Sequence, residues 1–241
     1  MNILIVGAGR AGSSFESALR RVGHDVRLVH HDQPDRFDAL DETELVLLCV
    51  PDDVIASVAS MVPLSHDYVV AHVAGSRTLD VLAPHPRVAS LHPLMTLPSG
   101  ELGAQRLIGA TYCVAGDTVA RQVTTSLKGR AITLRDDQRT LYHATASVAA
   151  NHLVALMGHV ATLAESAGLS LEDFLPLAQR ALADVVEFGP VAALTGPASR
   201  GDLATIDAHL AAMPESERST YVALANAALE FGERRRSQIL I

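Results

Sequence analysis

The spacing of apolar positions changes character near residue 136. Before that point, short unbroken apolar runs alternate with segments of helical spacing. Asn2–Val6, Asp25–Val29, Glu44–Val50, Tyr68–His72, Val88–Leu91 and Thr111–Val114 predict strands. Runs this short and continuous suit strands buried on both faces. Ser13–Val22, Val54–Val62 and Thr78–Leu82 predict helices between them. Such alternation predicts a parallel sheet with helices on both faces. After residue 136 no strand pattern follows. Arg139–Ala167 predicts one long helix closed by Gly168, and Ser170 with Asp173 has capping-box spacing at the start of another, running to about Glu187. Gly189-Pro190 breaks it, Gly196-Pro197 and Gly201 bracket a turn, and Asp202–Met213 and Ser216–Ser237 predict two more helices. The Arg234, Arg235, Arg236 run is expected as a solvated helix end that suits the helix dipole. The pattern divides the chain into an α/β domain, residues 1–135, and an all-helical domain, residues 136–241.

Composition then narrows the function classes. The chain has 241 residues, 49% of them hydrophobic and 4% aromatic, with a formal net charge of −8. An acidic chain without Trp is a poor nucleic-acid binder, because phosphate contacts need clustered Lys/Arg and base stacking needs aromatic rings. The two cysteines, Cys49 and Cys113, sit in apolar runs and are expected as small buried residues. No zinc spacing, calcium loop or paired-histidine metal motif occurs. The most apolar stretch, about Ala144–Leu163, contains Asn151, His152 and His159 and is too polar for a membrane span. With no signal-peptide pattern, the expectation is a soluble cytoplasmic protein without nucleic-acid or membrane partners.

Gly7, Ala8, Gly9, Arg10, Ala11 and Gly12 form a G-x-G-x-x-G turn directly after a strand and opening a helix. That context fits dinucleotide binding: Gly7 for the tight turn, Gly9 for close approach of a pyrophosphate, Gly12 for helix–strand packing. The end of the second strand carries His30 where NAD binders place an acid, and Arg36 lies close enough in sequence to approach a 2′-phosphate. NADP is therefore the expected cofactor, with NAD the alternative. Val50 and Pro51, after the third strand, are expected along the cofactor, with Asp52 and Asp53 as helix caps. Gly75 and Ser76, after the fourth strand, are expected near the nicotinamide.

The fingerprint, Cys49-Val-Pro-Asp-Asp-Val-Ile, Leu91-His-Pro-Leu, Asn151 in a long helix and Leu194-Thr-Gly-Pro-Ala-Ser-Arg-Gly-Asp202 together resemble one family over essentially the whole chain. It is the Rossmann-like oxidoreductase family with the helical domain of unknown function 2520, similar in plan to 6-phosphogluconate dehydrogenase, pyrroline-5-carboxylate reductase, ketopantoate reductase and prephenate dehydrogenase. The resemblance implies a Rossmann doubly wound sheet, a nicotinamide-dependent oxidoreductase and a homodimer through the helical domain. It does not imply a substrate.

Reduction of a carbonyl or imine needs a proton donor and usually a cation for a substrate carboxylate. His92, before Pro93, is similar to the His-Pro of prephenate dehydrogenases, where the histidine contacts the substrate hydroxyl. His143, Ser147 and Asn151 fall at i, i+4 and i+8 on one face of the long helix. Ketopantoate reductase and its relatives have a lysine proton donor where Ser147 stands, so the donor here is expected to be His143 or His92. Thr195 and Arg200 are expected to hold a substrate carboxylate, with Asp202 capping the next helix. The leading expectation is an NADP-preferring reductase of a small carboxylate-bearing ketone or imine, with a ketopantoate-like 2-keto acid as first substrate. The alternatives are a catalytically inactive nucleotide-binding regulatory protein and a prephenate-type dehydrogenase.

Overall fold

The computed structural model describes residues 1–33, 35–38 and 40–239. They divide into two compact units, Met1–Ala150 and Asn151–Ile241.

The first unit is built on strands β1 (Asn2–Val6), β2 (Asp25–Val29), β3 (Leu45–Leu48), β4 (Val69–His72), β5 (Val88–Pro93), β6 (Thr111–Gly116) and β7 (Arg130–Ile132). Their order across one sheet is β2-β1-β3-β4-β5-β6-β7. Its helices are α1 (Arg10–Arg21), α2 (Ile55–Ala59), α3 (Gly100–Leu107), α4 (Val119–Ser126) and α5 (Arg139–Ser147). The continuous apolar runs do what period-2 geometry requires of a strand covered on both faces. Ile3, Ile5, Leu45 and Leu47 point into one core layer with Phe15, Leu19, Leu107 and Val123. Leu4, Val6, Val46 and Leu48 point into the other with Ile55, Val58 and Leu82.

The sheet is parallel from β2 through β5, as the alternation predicts. It departs at β6, which pairs antiparallel with β5, while β7 pairs parallel with β6. The stretch 78–82 is a single 3-10 turn, Leu79–Leu82. The first connection from β1 leads to one side of the sheet and β3 lies on the other, so the carboxyl ends of β1 and β3 flank the point where the strand order reverses. Ligands of such sheets bind in that crevice.

The long helix is not one regular helix. A π-helical segment, Val148–His152, separates α5 from α6 (Leu153–Ser166). The even 100° step that aligned His143, Ser147 and Asn151 therefore does not carry through the segment that holds Asn151. The second unit continues with α7 (Leu171–Phe188), α8 (Pro190–Ala193), α9 (Gly196–Arg200), α10 (Leu203–Ala212) and α11 (Glu215–Ile239). The capping box at Ser170 forms, with the Asp173 carboxylate accepting from the Ser170 N–H at 2.9 Å. The bracketed turn is one helical turn, α9. The arginine run is not merely solvated. Arg236 donates to the Ser199 carbonyl at 2.9 Å and Arg235 to that of Leu194, fastening the α8–α9 segment to α11. Gly232 permits that approach, since a Cβ there would lie 2.3 Å from the Ala198 carbonyl oxygen.

Candidate functional site

The glycine turn is held by packing at two of its glycines and open at the third. Gly7 has φ +109°, and a Cβ on it would lie 2.5 Å from the Cys49 carbonyl oxygen. A Cβ on Gly12 would lie 1.8 Å from the Gly7 carbonyl oxygen. Gly9 is exposed, and a Cβ there would meet no heavy atom within 4 Å. Nothing in the protein itself requires glycine at position 9, whereas close approach of a diphosphate does. Gly9 is also the N-cap of α1 and supplies no side-chain cap. The first-turn N–H groups, with the positive end of the helix dipole, suit an anion. Ala8 and Ala11 are half-buried and Arg10 is exposed at the first helical position.

Beyond β2, His30 is exposed. Arg36 is turned into its own loop. It donates to the Gln33 carbonyl at 2.6 Å and to the Met61 sulfur at 2.7 Å, and its guanidinium lies 4.9 Å from the centroid of the Phe37 ring. The expected approach of Arg36 to a 2′-phosphate is therefore not preformed.

Val50 is buried beside Gly7, with its Cγ1 3.1 Å from the position of a Gly7 Cβ, and Pro51 is exposed. Asp52 is not a helix cap: the N-cap of α2 is Val54 without a side-chain bond, and the Asp52 carboxylate accepts the Ser76 hydroxyl at 2.8 Å. This ties the turn after β3 to the turn after β4. The buried His72 shapes the latter turn. Its Nδ1 accepts from the Ala74 N–H at 3.2 Å, so its Nε2–H donates to the Thr78 carbonyl at 3.3 Å. Burial pushes its pKa down to about 4.

The next residue in this turn is the pivot of the site. A Cβ on Gly75 would lie 2.8 Å from His92 Nε2 and 2.9 Å from His143 Cδ2. His92 from the end of β5 and His143 from α5 thus converge, with ring centroids 6.2 Å apart. His92 Nδ1 is hydrogen-bonded to the Tyr142 hydroxyl at 2.8 Å, the two rings edge to face at 5.6 Å. Burial first, and the neighbouring His143 second, push the His92 pKa down to about 4. Below them Arg139 is 1% exposed. It donates to the Ser90 hydroxyl at 2.6 Å and to the Arg77 carbonyl at 2.9 Å.

The structure therefore brings together Gly75, Ser76, His92 and His143 from the predicted set, and adds Tyr142, Arg139 and Asp52. Tyr142 and Arg139 carried a faint signal: two polar residues opening an apolar helix, one and four positions before His143. Ser147 is half-buried and makes no side-chain hydrogen bond among the described residues. Asn151, Thr195 and Arg200 belong to the second unit, where all three are exposed. Arg200 has no ion pair among the described residues. Asp202 does cap α10, accepting from the Thr205 N–H at 3.1 Å. No cluster of His, Cys, Asp and Glu suited to a metal occurs among the described residues.

One helical run, Asp136–Ser166, is long and apolar enough to cross a membrane by length and composition, with mean hydropathy 1.3. Its first part is instead fastened to the sheet through Arg139, and His159 is paired with Glu217 at 2.5 Å.

Residues 110–228 match the model of the family described as "Domain of unknown function (DUF2520)". No curated protein matches the chain. Among solved structures, a Bacteroides fragilis protein provisionally named an NADP oxidoreductase superposes with TM-score 0.76 at 20% identity, covering 95% of this chain and 98% of that one. A Thermotoga maritima protein gives 0.74 at 19%, covering 97% and 99%. A reductive aminase from Aspergillus terreus, in complex with NADPH and ethyl levulinate, gives 0.66 at 16%, covering 95% and 93%. At these identities the likeness establishes the fold alone.

Proposed function

Because residues 110–228 match the model of the DUF2520 family, on a fold shared with NADP oxidoreductases, we propose that the chain is an NAD(P)-dependent oxidoreductase that reduces a small carbonyl or imine compound. One observation carries the reading. The carboxyl ends of β1, β3, β4 and β5 form a connected row: Gly7 against Cys49, Asp52 bonded to Ser76, Gly75 against His92 and His143. A diphosphate-type turn stands at one end of this row and a proton-handling cluster at the other.

Gly9 and the first turn of α1 would hold the diphosphate, and Val50 and Pro51 would line the path toward Gly75 and Ser76. A bound nicotinamide supplies the hydride. His92 is the proposed proton donor, with His143 beside it. The lysine of ketopantoate reductases has no counterpart at Ser147, so the histidine pair replaces it. NADP is preferred in this reading, because His30 leaves no carboxylate to repel a 2′-phosphate. Asn151, Thr195 and Arg200 enter as residues whose substitution tests substrate binding, Arg200 for a carboxylate. A ketopantoate-like 2-keto acid is the first substrate to try.

The second unit leads to a homodimer. Ala164 and Ile206 are its buried apolar residues among those described, while Val154, Leu177, Leu182 and Val186 are 72%, 68%, 56% and 83% exposed. So large an exposed aliphatic surface marks an interface, and we assign it to a second copy of this chain.

The test is titration with NADPH and then NADH by nucleotide fluorescence, followed by a panel of 2-keto acids and cyclic imines. Tighter binding of NADPH and its oxidation by one compound is the expected result. Binding without oxidation across the panel would favour a nucleotide-binding regulatory protein, and no binding would overturn the reading.

A further inference from the structure

Building on His92 as the donor, we propose that Tyr142 is a positioning residue that holds His92 in its Nε2–H tautomer and returns a proton to Nδ1 when Nε2 gives one up. The 2.8 Å contact between Nδ1 and the phenol allows two arrangements. If Nδ1–H donated, the phenol hydrogen of the half-buried Tyr142 would have to turn to solvent, because no other acceptor among the described residues lies within hydrogen-bond distance. If the phenol donates, one hydrogen bond satisfies both groups.

Arg139 tips the balance the same way. Its guanidinium is fixed by Ser90 and the Arg77 carbonyl, and its positive charge acts on Tyr142, opposing the burial that raises the phenol pKa to a net of about 12. A neighbouring cation favours the more negative oxygen, which is that of a donating phenol. Cys113 also faces Tyr142.

The groups facing His92 keep it uncharged. His143, Arg139 and His72 disfavour the imidazolium along with burial, and Asp52 alone among the charged neighbours favours it. A neutral imidazole carries one N–H. With Nδ1 accepting from Tyr142, that hydrogen sits on Nε2, the atom that faces Gly75.

The proton balance closes without a change in oxidation state. As Nε2–H breaks and its proton passes to an acceptor oxygen, the Tyr142 O–H breaks and Nδ1–H forms. The phenolate stands beside Arg139 until solvent delivers a proton to Nε2; the Nδ1 proton then passes back to the phenolate oxygen, which restores the phenol and the first tautomer. His92 thus donates at neutral pH without ever being imidazolium.

The test needs no nucleotide. Full-length protein labelled with 15N-histidine, with the His92 signals assigned by His92→Gln, reports the tautomer from the two ring-nitrogen shifts. The expected wild-type result is Nε2–H at pH 7, persisting to about pH 5. In Tyr142→Phe, which keeps the ring but removes the hydroxyl, the two tautomers should mix. An Nδ1–H wild type, or an unchanged tautomer in Tyr142→Phe, would overturn the proposal. Should the variant not fold, the wild-type spectrum decides alone. Failure to bind NADPH would overturn the oxidoreductase reading and leave the tautomer result standing. Where turnover is measured, Tyr142→Phe should lower kcat about 100-fold with KM unchanged. An unaltered kcat would overturn the proton return.

Discussion

Gly75 is glycine for a reason of space. It has no positive φ among the glycines that do, so alanine is conformationally acceptable there. The obstacle is the two imidazoles, each within 3 Å of where a methyl group would stand. Gly75→Ala should therefore fold, displace the His92 ring from Tyr142, and reduce turnover about 100-fold, the scale of a misplacement near 1 Å. Unchanged turnover with an unchanged melting temperature would show that the rings yield freely. The same neighbourhood shapes acid stability. His72 and His92 both have native pKa values near 4, below the 6.5 of an exposed imidazole. Between pH 6.5 and 4 the unfolded chain binds about two more protons than the native one, so stability falls as pH falls through that window and is flat above it. His24, also lowered by burial, acts in the same direction. Urea midpoints at pH 7.5, 5.5 and 4.5 measure this, and His92→Gln should remove about one proton from the slope.

The elements show which parts of the molecule a sequence can disclose. β1, β2 and α1 were legible because a doubly buried run, a glycine turn and an amphipathic helix are each local patterns. The antiparallel entry of β6 was not, since its apolar run fits either direction. The π segment was equally silent, because Val148, Ala149 and Ala150 are ordinary helix residues. In the site, His92 was visible through its His-Pro resemblance and His143 as the start of a polar stripe with Ser147 and Asn151. Arg139 gave only the faint signal of a polar residue opening an apolar helix, because a buried arginine looks like a surface one until its partners, Ser90 and the Arg77 carbonyl, come from distant positions. The glycine turn supports a paired prediction. Gly12→Ala should destabilise the fold by about 1–3 kcal/mol through overpacking against Gly7. Gly9→Ala, with open space and an ordinary φ of −73°, should leave the melting temperature unchanged and weaken nucleotide binding at least tenfold. Equal nucleotide affinity in Gly9→Ala would remove the turn from the binding site.

At the scale of the whole molecule, the two units are stabilised differently. The sheet unit closes both of its core layers with its own side chains. The helical unit leaves most of its aliphatic surface outside, and its α7 buries none of its residues. A second copy is the proposed remedy, so Leu177→Asp combined with Val186→Asp should shift the molecular mass measured by light scattering from dimer to monomer and lower the melting temperature. A wild-type monomer at micromolar concentration would refute it. The two free thiols offer a different use of the sheet unit. Cys49 is buried behind the glycine turn and Cys113 lies within β6, opposite His92. A thiol reagent can reach neither until the chain opens locally, so each labelling rate is a clock for one part of the row. Nucleotide should slow the Cys49 clock and leave that of Cys113 closer to its original pace, turning two chemically idle residues into a map of which strands the ligand clamps.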